Sequence, residues 1–445
     1  GGPKHENIEL GKRLSNLESV PQVKFDTAKN FFHRLEEKSD KLNKWSGELY
    51  LEFHRGTYTS QAKVKKFNRK LENQLRLVEM LYANLPLEVY PLEELDQIWK
   101  VVLLNQFHDI IPGSSITKVY EVTHQEYEDA TNELNALVQT ASEKLCSVNP
   151  DKITFFNSNH YDFEDYIQIE NIGNCLMNIP AYSFKSLLRD ELEIVEPQNE
   201  LVLENRLIKY EFNLQGQLIS IFDKELNIEF ANGLANQFVL YDDHPNNWDA
   251  WDIDIFYENV IVEKLNGNLL NEEFQLTFTY NVGEKSSLKQ AIILSPNSKR
   301  LDFHTQVDWH EKHRMLRVEF PVNIQSAYAN YDIQYGYVRR NTHRNTTWDM
   351  AQFEVVAHKY ADLSNEDFGV ALLNDCKFGY KIHENVMDLN LLRSPNNPDP
   401  DADMGEHEFT YSLFPHKGRL VESNVIKEST LLNRPPLVLN GVEKD

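Results

Sequence analysis

The spacing of apolar residues changes along this chain, and the changes predict three stretches. In the first, over residues 1–44, short helical and extended signals mix. Ile8, Leu10, Leu14, Leu17 and Val20 can line one side of a helix that Pro21 ends, and Val23-Lys24-Phe25 reads as a short strand. Asp26-Thr27 can cap a further helix with Phe31, Phe32 and Leu35 on its apolar side. That is too little apolar surface to close a core.

From Trp45 the period becomes helical for about a hundred residues. Gly47 to Phe53 alternates in character and reads as an extended lead-in, and Gly56-Thr57-Tyr58-Thr59-Ser60 as a turn and cap. Leu71, Leu75, Val78, Leu81 and Tyr82 form one stripe. Leu92, Leu95, Ile98, Trp99, Val102 and Leu103 form a second after Pro86 and Pro91. Leu134, Leu137, Val138, Ala141 and Leu145 form a third after Pro112-Gly113. Three amphipathic helices on short links predict an antiparallel three-helix bundle over 45–149. From Asn149-Pro150 the period falls to 2. Ile208-Tyr210-Phe212 turns through Leu214 to Gln217 into Leu218–Phe222. Strands follow over 274–280, 288–294, 301–309, 316–320, 368–373, 409–414 and 437–439. Residues 150–445 are expected to form large antiparallel β-sandwich domains, with 394–401 as a long loop.

A chain of 445 residues that is 41% hydrophobic can bury more than one core. Its net charge of −24 argues against nucleic acid and anionic membrane as partners and suits a neutral substrate. No apolar run has the length of a membrane span, and no signal peptide is visible. Three scattered cysteines, Cys146, Cys175 and Cys376, form neither a disulfide framework nor a thiolate metal site, and point to a reducing compartment. The opening Gly1-Gly2-Pro3-Lys4 looks like the inside of a loop, so a piece of a longer protein is expected.

Five groupings carry candidate chemistry. His108-Asp109, between an apolar helical stripe and Pro112-Gly113-Ser114-Ser115, can aim a soft base and a carboxylate at one point, as metal ligands or a sugar-binding pair. An isolated pair of this kind is more often a satisfied His beside a capping Asp. In an extended Gly47–His54 segment, Glu48, Tyr50, Glu52 and His54 project to one side beside Arg55. One carboxyl there can act as a general acid; the plainer reading is a solvated edge. Trp248-Asp249-Ala250-Trp251-Asp252 suits a sugar, aromatic faces stacking on the ring and carboxylates holding hydroxyls, or equally a loop with anchoring tryptophans. Arg339 to Asn345 and Asp403 to Phe409 are as well explained by buried ion pairs between strands as by function.

Together these residues resemble glycoside hydrolase family 38. Gly47 to Glu52 with His54-Arg55-Gly56-Thr57-Tyr58-Thr59, then Leu103 to Asp109 with Pro112-Gly113-Ser114, are similar to motifs of its cytosolic or vacuolar-type and bacterial α-mannosidases. Trp248 to Asp252, Arg339 to Asp349, Leu372 to Cys376, Leu392-Arg393-Ser394-Pro395 and Asp403 to Phe409 fit the same branch in the same order. The resemblance implies a (β/α) barrel, a three-helix bundle and large β-sandwich domains, with residues 1–44 as a C-terminal remnant of the barrel. It implies retaining, metal-dependent hydrolysis of terminal α-D-mannosides in oligosaccharides, a divalent metal (zinc or cobalt), cytoplasmic location and a homo-oligomer. By resemblance His108 is a metal ligand and Asp109 hydrogen-bonds the sugar. Glu48 and Glu52 are the acid/base candidates, and Arg55, Tyr58, Trp248, Asp249 and Asp252 contact the substrate. The family's nucleophile and remaining ligands lie in the barrel and have no counterpart here, so the chain alone is expected to be inactive. Two other readings are a non-catalytic carbohydrate-binding module and a structural partner of a separate barrel segment.

Overall fold

A computed structural model describes residues 2–270 and 274–444, in two compact units, 1–49 and 50–445. The first unit holds helices α1 (His5–Leu14) and α2 (Ala28–Glu36) and a single turn at Ser39–Lys41. The Thr27 hydroxyl caps α2 by accepting from the Asn30 amide at 3.3 Å, and Asp26 holds Arg34 at 2.5 Å. The expected strand at Val23–Phe25 is not formed. Three residues without a partner strand have no ladder to join, and none of the described residues in this unit is buried.

The second unit begins with the bundle: α3 (Ala62–Tyr82), α4 (Leu92–Asn105) and α5 (Thr117–Leu145). Val64, Leu71, Leu75, Val78 and Leu81 of α3 meet Leu95, Ile98 and Val102 of α4 and Tyr120, Tyr127, Leu134 and Ala141 of α5 in one buried core. The stripe on α4 is shorter than its sequence predicts, since Leu92 and Leu103 at its ends point to solvent. The Gly47–His54 lead-in is not a strand. Left-handed backbone at Phe53 breaks the extended run between Glu52 and His54, and no partner strand pairs with it.

Residues 147–443 are antiparallel sheets. A nine-stranded sheet has the residue order 268–269, 276–282, 286–294, 301–309, 405–417, 368–374, 360–364, 328–333, 336–341. A six-stranded sheet has the order 261–264, 237–242, 314–321, 386–393, 379–383, 355–356. Their inner faces share a single core: Phe320 of the second packs against Phe303 and Tyr411 of the first at 5.9 and 6.0 Å between ring centroids. The fold is thus a three-helix bundle followed by large antiparallel β-sandwich layers. The strand 437–443 returns to pair with 147–157, next to the bundle's last helix. No helix among the described residues is long and apolar enough to cross a membrane.

One side chain joins the sandwich to the start of the bundle. Arg393, at the end of strand 386–393, is fully buried. Its Nε and Nη2 meet Asp243 Oδ2 at 2.9 and 2.7 Å, and Nη2 also donates to the Asp252 carbonyl at 3.0 Å. Nη1 donates to Ser60 Oγ at 2.9 Å and to the Ala250 carbonyl at 3.2 Å. Gly56 lies flat against this guanidinium, and a methyl group there would collide with Nη1. An Arg393→Ala substitution strands the buried Asp243 carboxylate and is expected to cost about 3–5 kcal/mol. Urea unfolding followed by tryptophan fluorescence measures it; a loss below about 1 kcal/mol would show that the junction stands without this contact.

Candidate active site

The chain around Arg393 brings together segments that are far apart in sequence. The turn at 54–60 packs under the Trp248–Asp252 loop: the Gly56 amide donates to the Trp251 carbonyl at 2.8 Å, and Ser60 Oγ to the Ala250 carbonyl at 2.9 Å. On its other side the same turn meets the segment after α4. Gly113, in a left-handed conformation open to glycine, sits against the Ser60 backbone so closely that a side chain would not fit. Lys65 Nζ bridges the two turns, donating to the Ser60 carbonyl at 2.5 Å and the Ile111 carbonyl at 2.7 Å. Burial pushes this ammonium down, although Asp403 nearby opposes the shift. Asp403 in turn caps α3, accepting from the Gln61 and Ala62 amides at 2.7 and 2.6 Å. The loop after Arg393 closes the arrangement: Asp399 accepts from Thr117 Oγ1 and Gln61 Nε2, each at 2.7 Å.

His108 lies in the turn that follows α4 rather than on the helix itself. Its side chain is 76% exposed, with Nε2 3.5 Å from Asp109 Oδ2 and its ring beside Phe107 at 4.2 Å. Ser114 Oγ donates to Asp109 Oδ1 at 2.9 Å and orients that carboxylate. Around the pair Leu103, Leu104, Phe107 and Ile116 are exposed. Trp248 stands out at 65% exposure on a left-handed backbone, edge-on to Trp251 at 6.2 Å.

Of the remaining charged candidates, Arg55, Asp249 and Asp252 are turned inward. Arg55 is buried, its guanidinium 4.5 Å over the Phe353 ring and donating to the Ala351 carbonyl at 2.9 and 3.2 Å, with Asp252 at 3.5 Å. Asp249 Oδ2 accepts from the Asn396 and Asn397 amides at 2.6 and 3.2 Å and so fixes the 394–401 loop. Glu52 is exposed, 3.6 Å from Arg55, and Tyr58 is half-buried in the same turn. Glu48 belongs to the N-terminal unit, half-buried, its carbonyl accepting from Trp45 Nε1 at 2.9 Å.

The other two groupings are built into the fold. Arg344 holds Glu258 with two contacts of 2.7 Å, and Arg340 donates to the Val356 carbonyl at 2.8 Å. His407 is buried with Nε2 2.7 Å from the Asp403 carbonyl, and burial pulls it down to about 3. Among the described residues no three of His, Cys, Asp and Glu cluster as metal ligands. For a divalent cation, His108 presents a bare, accessible imidazole and Asp109 a second donor: part of a coordination shell, not a whole one.

Lys65, Asp243, the capping role of Asp403 and the contact of Ser114 with Asp109 were not legible beforehand. One signal was present for the first: Lys65, Asn68 and Arg69 repeat at helical spacing beside the apolar stripe, and all three are buried.

Comparison with known proteins bears on this geometry. Residues 52–145 match the alpha mannosidase middle domain, and residues 203–401 the glycosyl hydrolases family 38 C-terminal domain. The chain is 37% identical to alpha-mannosidase 2C1 of Homo sapiens, over 99% of this chain and 45% of that protein. It is 34% identical to an alpha-mannosidase of Saccharomyces cerevisiae, over 96% of this chain and 41% of that one. The chain therefore spans less than half the length of these curated relatives. A solved alpha-mannosidase from Enterococcus faecalis has the same fold, with a TM-score of 0.76 at 15% identity, over 99% of this chain and 65% of that chain.

Since the His108 ring contacts so little, His108→Ala is expected to leave the thermal midpoint of the chain unchanged. Differential scanning calorimetry tests this. A clear drop in midpoint would make the imidazole a structural group and remove it from the site.

Proposed function

The chain carries the middle and C-terminal domains of glycoside hydrolase family 38, and on that premise we propose that it supplies one wall of a metal-dependent active site that hydrolyses terminal α-D-mannosides with retention. The observation that carries this reading is the accessible His108-Asp109 pair, its imidazole 76% exposed, while the charged groups of the adjoining turns, Lys65, Asp399 and Asp403, are paired and buried.

Retaining hydrolysis needs two carboxyl groups about 5–5.5 Å apart across the scissile bond, one a nucleophile and one an acid/base. In this proposal the acid/base is Glu48 or Glu52, and the nucleophile comes from polypeptide outside these 445 residues. His108 contributes one nitrogen ligand to a zinc or cobalt ion. A cation held there by His108 would supply Lewis acidity and positive charge to the substrate's oxygens. Asp109, held by Ser114, accepts a hydrogen bond from a sugar hydroxyl. Trp248 offers its face to the ring, with Tyr58 beside it. Arg55, Asp249 and Asp252 serve as positioning residues, since their charges are spent fixing the loop that bears Trp248. The exposed Leu103, Leu104, Phe107 and Ile116 fit a seam covered by a barrel segment in the longer enzyme. Three free cysteines support a cytosolic setting, and the acidic surface suits a neutral oligosaccharide.

A carbohydrate-binding role without catalysis is favoured by one feature, the outward Trp248. It would show as mannose binding that survives both chelation and His108→Ala.

The test compares the 445-residue chain with a longer polypeptide that includes the preceding coding sequence, using an aryl α-mannoside. The longer polypeptide is expected to turn over, to stop on chelation, and to fall in His108→Ala by more than the roughly 10- to 100-fold that an outer-shell change costs. Glu48→Gln and Glu52→Gln should separate, only one losing turnover that added azide partly restores. Turnover by the 445 residues alone, or full activity in His108→Ala, would overturn the proposal.

A further inference from the structure

Away from this site, four cations gather where the bundle meets the end of the sandwich. A cleft of 470 Å³ lies between α3 and the segment 432–438 and is lined by Arg69, Lys70 and Arg434, with Arg76 at its edge through Ser158. In a chain of 69 acidic and 45 basic residues such a group would be expected to draw carboxylates. It has not. Asp375 lines the cleft and Glu72 lies near, yet among the described residues none of the four cations has a carboxylate within 4.0 Å.

The guanidinium groups are instead anchored by neutral acceptors. Arg69 stacks on Phe378 at 4.5 Å and donates to the His358 carbonyl at 3.0 Å and Asn433 Oδ1 at 3.1 Å. Arg76 donates to the Ser158 carbonyl at 3.0 Å. Arg434 donates from Nε to Asn73 Oδ1 at 2.8 Å, and among the described residues its two terminal nitrogens have no acceptor. Burial, then Arg76, push the Arg434 guanidinium down, and burial pushes Arg69 down as well. Charges fixed in place, with Glu72 and Asp375 acting on them only from beyond ion-pair distance, are preorganised for an anion, and a free guanidinium fork matches an oxyanion with two parallel hydrogen bonds.

We propose that this cleft is a binding site for a phosphomonoester of about monosaccharide size. Arg434 grips the phosphate through both terminal nitrogens, Arg76 and Lys70 add charge from the rim, and Arg69 is the buried support. The volume lies within the range of small-molecule sites, about 300–1,000 Å³. The mannosidase proposal is not needed for this one, because no residue is shared between the two sites.

Calorimetric titration of the 445-residue chain with glucose 6-phosphate, inorganic phosphate and glucose tests it. Both phosphate probes are expected to bind and glucose not to. Losing one charge-assisted fork should weaken the phosphate probes at least about tenfold in Arg434→Gln. Arg434→Lys should recover part of that loss, since charge remains and the fork does not. Lys70→Gln removes an exposed side chain that makes no hydrogen bond or ion pair among the described residues, so the fold is expected to stay intact while binding weakens in the same direction. Glucose 6-phosphate and phosphate binding equally would assign the site to free phosphate rather than to its ester and would overturn the size assignment. No binding of either probe, or binding unchanged in Arg434→Gln and Lys70→Gln, would overturn the site.

Discussion

The guanidinium of Arg393 is the contact on which the candidate site depends. Its nitrogens make five contacts, to Asp243, Ser60 and the Ala250 and Asp252 carbonyls, so one rigid plane sets the distance between a sandwich strand, the tryptophan loop and the turn leading into α3. Gly56 is required there because the guanidinium occupies the space of a side chain. Once that turn is fixed, Gly113 can pack on Ser60, and Lys65 can tie both turns to α3. The placement of His108 is thus inherited from an arginine nearly three hundred residues later in the chain.

The same device recurs through the sandwich. Arg317 is fully buried between Glu354 at 2.7 Å and Asp388 at 2.6 Å, joining strand 314–321 to strand 386–393 and to the segment before 355–356. Arg300 is buried among Asp165, Asp302 and Glu428, each at 2.8 Å, and so links the nine-stranded sheet to the small sheet 163–169 and the helix Val425–Asn433. These clusters are not simply stabilising. Burial holds Glu354 up at about 7 and Asp165 up at about 6 despite the adjacent guanidinium, so desolvation outweighs attraction at those carboxyls. What such groups secure is a single arrangement of layers, because any other packing would leave a charge unpaired in the interior.

That use of charge explains what the sequence did and did not reveal. The bundle was legible because Leu71, Leu75, Val78 and Leu81 repeat at the helical period and pack in one apolar cluster. The strand 301–309 was legible because its inward residues alternate with polar ones. Strand 386–393 was not, since nearly every residue in it is buried and two of them, Asp388 and Arg393, look like surface residues out of context. The lead-in at 47–53 misled for the opposite reason: its alternation is real, but no strand pairs with it and left-handed backbone at Phe53 ends the run. Within the site the motifs stood out, Ser114 among them, while the contacts that aim them, those of Lys65 and of Ser114, did not. Their partners are carbonyls or a carboxylate set by the folded chain, and a single sequence carries no trace of those contacts.

Burial separates two kinds of polar residue that the sequence presents together. Arg55, Asp249 and Asp252 sit beside Tyr58 and Trp248 in sequence, yet their polar atoms face protein. His108 and Trp248 face outward at 76% and 65% exposure. An exposed aromatic held on a left-handed backbone by a buried ion-pair network costs free energy twice, in strain and in exposed apolar surface. The fold thus fixes the neighbours of both groups while leaving the indole and the imidazole accessible at the surface.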